Sequence, residues 1–296
     1  MSAASPLILS TACLTPWPLP AVARAAAAAG YDGLELVLGI DHLLHGAAWV
    51  RRAARGSPVP VFSVHQPLFG VGPWRSLTRA VSDTVELALQ LGAGVVVLHA
   101  PRVRSWDDAR GREWLAALDQ AQQRVTGSAT RLTVENLGAH ARRPTPTALG
   151  ALDDLAAFCR QHGLGLTYDT CHAGTLGADL TADLAAVSDV LANVHLSDYR
   201  PSAPLERLPV LDMAFANHQM PGEGALDLGQ ALHSLAAQGY HGPITFEISP
   251  FALRAWLPTW RRARLARALA FAREALAATA ASSTAVRRSP TGALAE

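Results

Sequence analysis

The chain has 296 residues, half of them hydrophobic, and a formal net charge of +1 at pH 7. This length fits two ordinary domains or one large α/β barrel, and the balanced charge argues against nucleic acid or a membrane surface as a partner. All 25 basic residues are arginine, which excludes Schiff-base catalysis and the lysine-dependent phosphate loop.

Eight short apolar runs recur along the chain, and several of them directly follow a glycine. They are rich in Val, Ile, Leu, Thr or Phe, which is typical of strands buried in a parallel sheet. In chain order the predicted strands are residues 7–13, 33–38, 59–65, 94–100, 131–136, 165–170, 190–197 and 243–248.

Helical patterns separate these predicted strands, and four of them end at a glycine that can adopt the left-handed conformation of a helix C-terminus. These glycines are Gly30, Gly92, Gly163 and Gly239. Regular alternation of strand and helix implies a parallel sheet with right-handed crossovers. Eight such units predict a closed (β/α)8 TIM barrel, an α/β fold in a single domain over residues 1–280.

A doubly wound open sheet is the alternative fold, but no G-x-G-x-x-G motif follows the first predicted strand. The segment 281–296 is small and polar, and we expect a disordered tail there.

Ionisable side chains stand at the ends of the predicted strands, where a TIM barrel carries its active site. A single residue of this kind is most often a hydrogen-bonded core residue, but unpaired charges inside a barrel are costly. Carboxylates and imidazoles that converge on one point suit a divalent cation. The residues are Glu35, His65, His99, Glu135, Asp169, His172, His195, Asp198 and Glu247, with His218 and Glu223 in the loop after the seventh strand. We interpret Cys171, which lies among them, as a packing residue.

The sequence resembles the xylose isomerase-like TIM barrels, which include sugar and sugar-phosphate isomerases and epimerases, inosose dehydratases and the endonuclease IV family. The segments that carry the resemblance are "YDGLELVL", "LTVENLG", "YDTCHAG", "NVHLSD", "PGEG" and "ITFEIS", and they span nearly the whole chain. They are specific for the superfamily and poorly specific for the reaction.

The epimerase branch of this superfamily implies one divalent metal ion, Mn, Mg, Co or Zn, and a set of site residues. The metal ligands would be Glu135, Asp169, His195 and Glu247. Glu135 and Glu247 would also face the substrate from opposite sides as the proton-transferring groups, with His172 as a third catalytic residue on a substrate oxygen. His65, His99 and His218 would bind substrate hydroxyls, or His65 and His99 would hold a second metal. Two interpretations stay open for Arg200, which stands just past the seventh predicted strand: a contact with a substrate phosphate, or a solvated surface arginine.

Three functions stay open from the sequence. The first is a metal-dependent isomerase or epimerase of a sugar, sugar phosphate or polyol ketone. The second is an endonuclease IV-like metallohydrolase of apurinic DNA, although its third zinc site would need an aspartate where Ala216 stands. The third is a barrel that binds a sugar without catalysis.

The expected partner is a small carbohydrate substrate, without nucleic acid or membrane, and an oligomer is possible. The three cysteines, Cys13, Cys159 and Cys171, lack the paired spacing of a disulfide framework. We therefore expect a cytoplasmic protein.

Overall fold

Eight parallel strands close into a barrel in which each strand pairs with the next along the chain and the last pairs with the first. The computed structural model describes residues 4–139, 147–201 and 215–287. The closed barrel confirms the predicted fold. Its strands are β1 (Leu7–Ser10), β2 (Gly33–Val37), β3 (Val61–His65), β4 (Val95–His99), β5 (Arg131–Glu135), β6 (Gly165–Asp169), β7 (Leu191–Leu196) and β8 (Ile244–Phe246).

At least one α-helix follows every strand and returns the chain to the start of the next. Left-handed glycines follow the ends of the first, third and fifth helices, with φ of 88° at Gly30, 67° at Gly92 and 65° at Gly163, as predicted. The helices are α1 (Leu19–Ala29), α2 (Ile40–Arg55, with a kink at Gly46), α3 (Leu77–Leu91), α4 (Ala109–Val125), α5 (Leu152–His162), α6 (Thr170–Thr175), α7 (Leu180–Ala186), α8 (Leu228–Ala237) and α9 (Pro258–Arg287).

The observed strands β2 to β8 are one or two residues shorter at one or both ends than predicted, and two other boundaries differ by more. The first strand ends at Ser10 rather than at residue 13, because the next four residues form a 3-10 helix that the Ser10 side chain caps by accepting from Ala12 N. The chain beyond residue 280, predicted to be a disordered tail, continues α9 as far as Arg287. Residues 288–296 lie outside the described part of the chain.

Side chains alternate between the inside of the barrel and the surrounding helices, as the two-residue period of a strand requires. The inner layer is polar: Ser63, Thr133, Thr167, Asn193 and Thr245 are fully buried. Thr133 and Thr167 share a hydrogen bond of 2.6 Å, and Thr245 donates to Asn193. Because side chains on one face of a strand are two residues apart, the residue two positions after each of these polar residues also points into the barrel. It lies one layer closer to the carboxyl ends of the strands.

The apolar core lies between the outer face of the strands and the helices, and Leu34, Val64, Val134 and Phe246 belong to it. Packing here is tight at Gly33, where an added Cβ would lie 2.4 Å from the Phe62 ring. Among the residues described, no helix has the length and apolar character needed to cross a membrane.

Candidate metal centre

Four buried side chains converge at the carboxyl ends of β5 to β8. They are Glu135, Asp169, His195 and Glu247, and one ligand atom from each lies within 4.8 Å of the others. Each stands two residues after a polar residue of the inner layer: Thr133, Thr167, Asn193 and Thr245. Strand alternation therefore explains why these four residues meet on the barrel axis.

The polar atoms of this cluster fit a divalent cation. His195 Nδ1 lies 2.8 Å from Glu247 Oε2, 3.5 Å from Glu135 Oε1 and 3.8 Å from Asp169 Oδ2. It is nevertheless buried without a hydrogen-bond partner, and so is Asp169 Oδ2. Buried polar atoms are normally satisfied. Three carboxylates around one imidazole nitrogen match a cation that prefers oxygen and nitrogen ligands.

Glu35 lies one layer below this cluster and orients its histidine. Its Oε2 is 3.2 Å from His195 Nε2 and accepts a hydrogen bond from Ser63 at 2.9 Å. The contact at Nε2 turns Nδ1 towards the three carboxylates, which is the usual arrangement of a metal-ligating histidine and its supporting carboxylate. The sequence interpretation noted Glu35 but gave it no role. Its position in the middle of β2 rather than at the end is the signal that separates it from the four residues of the central cluster.

We expect Glu35→Gln to weaken divalent-metal binding by about 10- to 100-fold, because the amide loses the charge that makes His195 a stronger ligand. Titration of Mn²⁺ by calorimetry measures this effect. Glu274→Gln on the exposed face of α9 is the matched control and should bind Mn²⁺ like the wild type. Equal affinities in the two variants would show that Glu35 does not support the site.

A second group joins His65 and His99 to Glu135. Glu135 Oε2 lies 3.2 Å from His65 Nε2 and 2.7 Å from His99 Nε2, and ligand atoms of the three residues could hold a metal ion. His65 is fully buried, and its other ring nitrogen lies 2.6 Å from Gln66 O. Both nitrogens of His65 are thus occupied within the protein, whereas the His99 side chain is 26 % exposed and can meet a ligand.

A third group consists of Asp169, His172 and His218, whose ligand atoms also lie within 4.8 Å of one another. Asp169 Oδ1 accepts the His172 backbone N–H at 2.7 Å, which leaves Oδ2 as its unpartnered oxygen. The His172 ring is a quarter exposed and lies 2.9 Å from Asn136 O and 3.2 Å from Glu135 Oε1. His172 is therefore placed at the mouth of the central cluster, where the sequence predicted a contact with substrate.

The backbone at His218 has a φ of 49°, in the left-handed region that a residue with a side chain rarely adopts. Its N–H donates to the Cys171 sulfur at 3.2 Å, and its carbonyl accepts from Ser249 N at 2.7 Å. The ring Nδ1 lies 3.1 Å from Ser197 Oγ. These contacts fix the ring beside His172, and they show that Cys171 positions a site residue in addition to packing.

Asp198 organises the loop that carries His218 and is not part of any of the three groups. Its fully buried carboxylate accepts backbone N–H groups from Tyr199, Gly222, Gly224 and Leu226 at 2.9–3.1 Å. The approach is so close that a Cβ at Gly224 would lie 2.2 Å from the carboxylate. The "PGEG" segment therefore needs glycine at this position.

The buried charges stabilise one another. Burial alone would raise the pKa of Glu135, but electrostatic interaction with the neighbouring imidazoles of His99 and His195 and the contact with His172 hold that pKa well below its usual range. Burial alone would lower the pKa of His172, but Asp169 and Glu135 raise it to about 10. The pKa of His195 is likewise raised by Glu35 and Glu135 against the effect of burial. A cation held at the central cluster would replace the proton on His195 Nδ1, so we expect metal binding there to release a proton.

Arg200, predicted to meet a substrate phosphate, lies outside the central cluster. Its Nε and Nη2 donate to Glu223 O at 3.1 and 2.6 Å, and its side chain lines a neighbouring cleft. Ala216, which stands where a third zinc ligand would be needed, is fully buried.

A family model for the xylose isomerase-like TIM barrel matches residues 23–275. The chain belongs to this family. Membership agrees with the closed barrel and with the ring of acidic and histidine side chains at the carboxyl ends of its strands.

The proteins and solved structures similar to this chain carry different names. An uncharacterized protein of Mycobacterium tuberculosis is 28% identical over 290 residues, which cover 90% of this chain and 95% of that protein. A 3-dehydroshikimate dehydratase of Pseudomonas aeruginosa is 29% identical over 247 residues, which cover 80% of this chain and 37% of the dehydratase. The solved structure of an L-ribulose 3-epimerase superimposes with a TM-score of 0.69 at 17% identity, covering 97% of this chain and 100% of the epimerase.

Proposed function

We propose that the protein is a metal-dependent isomerase or epimerase that moves a carbon-bound proton of a sugar, sugar phosphate or polyol ketone. The observation that carries the proposal is the pairing of two glutamates on one metal centre: Glu135 from β5 and Glu247 after β8 both lie within 3.5 Å of His195 Nδ1. The similarity to a sugar epimerase and to a dehydratase supports a substrate of this class.

The two glutamates of the site differ in how far their side chains are exposed to solvent, and we assign their roles from this difference. The Glu247 side chain is 11 % exposed, whereas that of Glu135 is 1 % exposed and is held by histidines. A divalent cation held by Glu135, Asp169, His195 and Glu247 would polarise the substrate carbonyl and stabilise negative charge on its oxygen. Glu247 is the better placed of the two carboxylates to remove the proton beside that carbonyl.

A second proton is then delivered to the substrate. Glu135 would take a proton from solvent or from a substrate hydroxyl and deliver it at the neighbouring carbon in an isomerase or on the opposite face of the same carbon in an epimerase, while the proton held by Glu247 is released to solvent. The partly exposed ring of His172 binds a substrate oxygen near the reacting carbon, and His99 and His218 contact further hydroxyls. The same groups also suit a dehydratase, in which removal of the proton is followed by loss of a hydroxyl group as water.

Proton exchange in heavy water tests this proposal. The purified protein is loaded with Mn²⁺, Co²⁺, Zn²⁺ or Mg²⁺ and incubated with a panel of ketoses, and NMR follows deuterium on substrate carbons. We expect metal-dependent exchange that chelation abolishes. Formation of an unsaturated ketone would indicate the dehydratase. Cleavage of abasic DNA without any carbon exchange would instead favour the endonuclease-like hydrolase, and sugar binding without exchange would favour a non-catalytic barrel.

A further inference from the structure

A cleft of about 440 Å³ lies at the carboxyl-terminal end of the barrel, lined by residues that follow β7 and β8. Its wall includes Gln219, the neighbour of His218 in the chain. The other side is built by Phe251, two residues beyond Ser249, whose N–H donates to His218 O. The cleft is therefore connected through the backbone of His218 to the residues that surround the reacting carbon.

Three arginines and one glutamate line this cleft: Arg200, Arg254, Arg264 and Glu223. Glu223 pairs with Arg264 and also with Arg267, which leaves Arg200 and Arg254 without a carboxylate partner among the described residues. The described lining of the cleft therefore carries an excess of positive charge. In a chain with a net charge of only +1, this is a local concentration of charge rather than a general property of the surface.

Two of these guanidinium groups retain hydrogen-bond donors for a ligand. The Arg254 guanidinium lies 4.2 Å from the centre of the Trp260 ring and donates no hydrogen bond to the part of the chain described. Its backbone is held at a φ of 50°, which costs free energy in a residue with a side chain. Stacking on an aromatic ring orients a guanidinium and leaves its edge available to a carboxylate or phosphate. Arg264 Nε is buried without a hydrogen-bond partner.

Aromatic side chains form the rest of the wall. Phe215 and Phe251 are 46% and 47% exposed, and their rings are 5.2 Å apart. Exposed aromatic rings offer apolar faces to the carbon–hydrogen groups of a ligand. The combination of two unneutralised arginines with two exposed rings suits a carbon chain that ends in an anion.

We propose that this cleft binds a phosphate or carboxylate group of the substrate, so that the enzyme acts on an anionic ketose in preference to a neutral one. This inference rests on the proposed function, which it narrows to acidic sugars. The ketone would lie over the metal centre and the acidic group would contact Arg254 and Arg200, with the intervening carbons against Phe251.

Inorganic phosphate is the first probe. Calorimetry with the metal-loaded protein should detect phosphate binding that weakens about tenfold or more in Arg254→Gln, because a hydrogen bond to a charged group is lost. Arg200→Gln should weaken it in the same direction. The affinity for Mn²⁺ should not change. Arg52→Gln, an exposed arginine in the last turn of α2 at the other end of the barrel, is the matched control and should bind phosphate normally.

Exchange kinetics provide the second measurement, with D-fructose, D-fructose 6-phosphate and D-fructuronate as neutral, phosphorylated and carboxylated ketoses. We expect kcat/KM for at least one acid to exceed that for the neutral sugar about tenfold or more, and Arg254→Gln to remove the preference. The acidic ketose with the larger increase in kcat/KM over the neutral sugar shows whether the cleft prefers phosphate or carboxylate.

The two measurements separate the two proposals. Phosphate affinity that is identical in Arg254→Gln and wild type would overturn the cleft assignment, as would exchange of the neutral ketose as fast as both acids. The proposed function would survive either result. If no ketose exchanges a proton while phosphate binding still depends on Arg254, the anion site stands and the proposed function fails.

Discussion

Glu247→Gln should slow proton exchange of the substrate in heavy water by about 10²–10⁴-fold, even when excess metal restores occupancy of the site. The amide retains the shape of the carboxylate, so the fold should persist, but an amide oxygen is a very weak base. NMR of deuterium incorporation at saturating Mn²⁺ measures the effect. Metal affinity should also fall, because a neutral amide oxygen is a poorer ligand than a carboxylate.

Glu274→Gln, on the exposed face of α9, makes the same chemical change away from the site and should leave exchange at the wild-type rate. His172→Asn should act more mildly than Glu247→Gln, since its role is to orient the substrate. Full exchange by metal-saturated Glu247→Gln would show that this carboxylate is not the base. The proposed mechanism would then be wrong.

Glu135 differs from Glu247 in a way that the sequence does not reveal. Both are strand-end glutamates in the motifs "TVENLG" and "TFEIS". In the fold, however, Glu135 accepts contacts from His65 and His99 at one oxygen and from His172 at the other. Replacing it removes the shared partner of three histidines. A slower reaction in Glu135→Gln would therefore combine the loss of a proton-transfer group with disturbed metal ligands.

The barrel was predictable because its signals are local. A short apolar run after a glycine predicts a strand, and a glycine such as Gly92 predicts the end of a helix. Both signals depend only on residues that are neighbours in the sequence. The same period-two rule that identifies the strands also brings Glu135, Asp169, His195 and Glu247 to one rim. These four residues therefore lie close together because the strands that carry them are parallel and end at the same rim of the barrel.

The supporting contacts could not be predicted, because they join residues far apart in the sequence. The contact between Glu35 and His195 spans 160 positions, and its geometry depends on how β2 and β7 face each other across the barrel. The contact of the Cys171 sulfur with His218 N depends on the path of a loop. The cleft near Arg254 likewise depends on the relative placement of two loops, for which strand periodicity carries no information.

Asp198 is an ionisable residue at a strand end whose role is to stabilise the structure. Among substitutions of the residues around the site, replacement of Asp198 should lower the stability of the protein the most. In Asp198→Ala, four backbone N–H groups lose their acceptor in a segment that includes the buried Met220. Each unsatisfied buried group costs about 1–3 kcal/mol, and water will reach some of them, so we expect the free energy of unfolding to fall by about 3 kcal/mol. Urea denaturation measures this change.

Two further variants test whether the lost hydrogen bonds cause the fall in stability. Asp198→Asn keeps one acceptor oxygen and should lose less stability than Asp198→Ala. Asp119→Ala, on the exposed face of α4, should change the free energy of unfolding by less than about 0.5 kcal/mol. Because Asp198 also holds the loop that carries His218, substrate binding should weaken in Asp198→Ala while Mn²⁺ affinity at the central cluster is retained. Unchanged stability with loss of Mn²⁺ would mean that Asp198 is a metal ligand and that its four backbone contacts are not its main role.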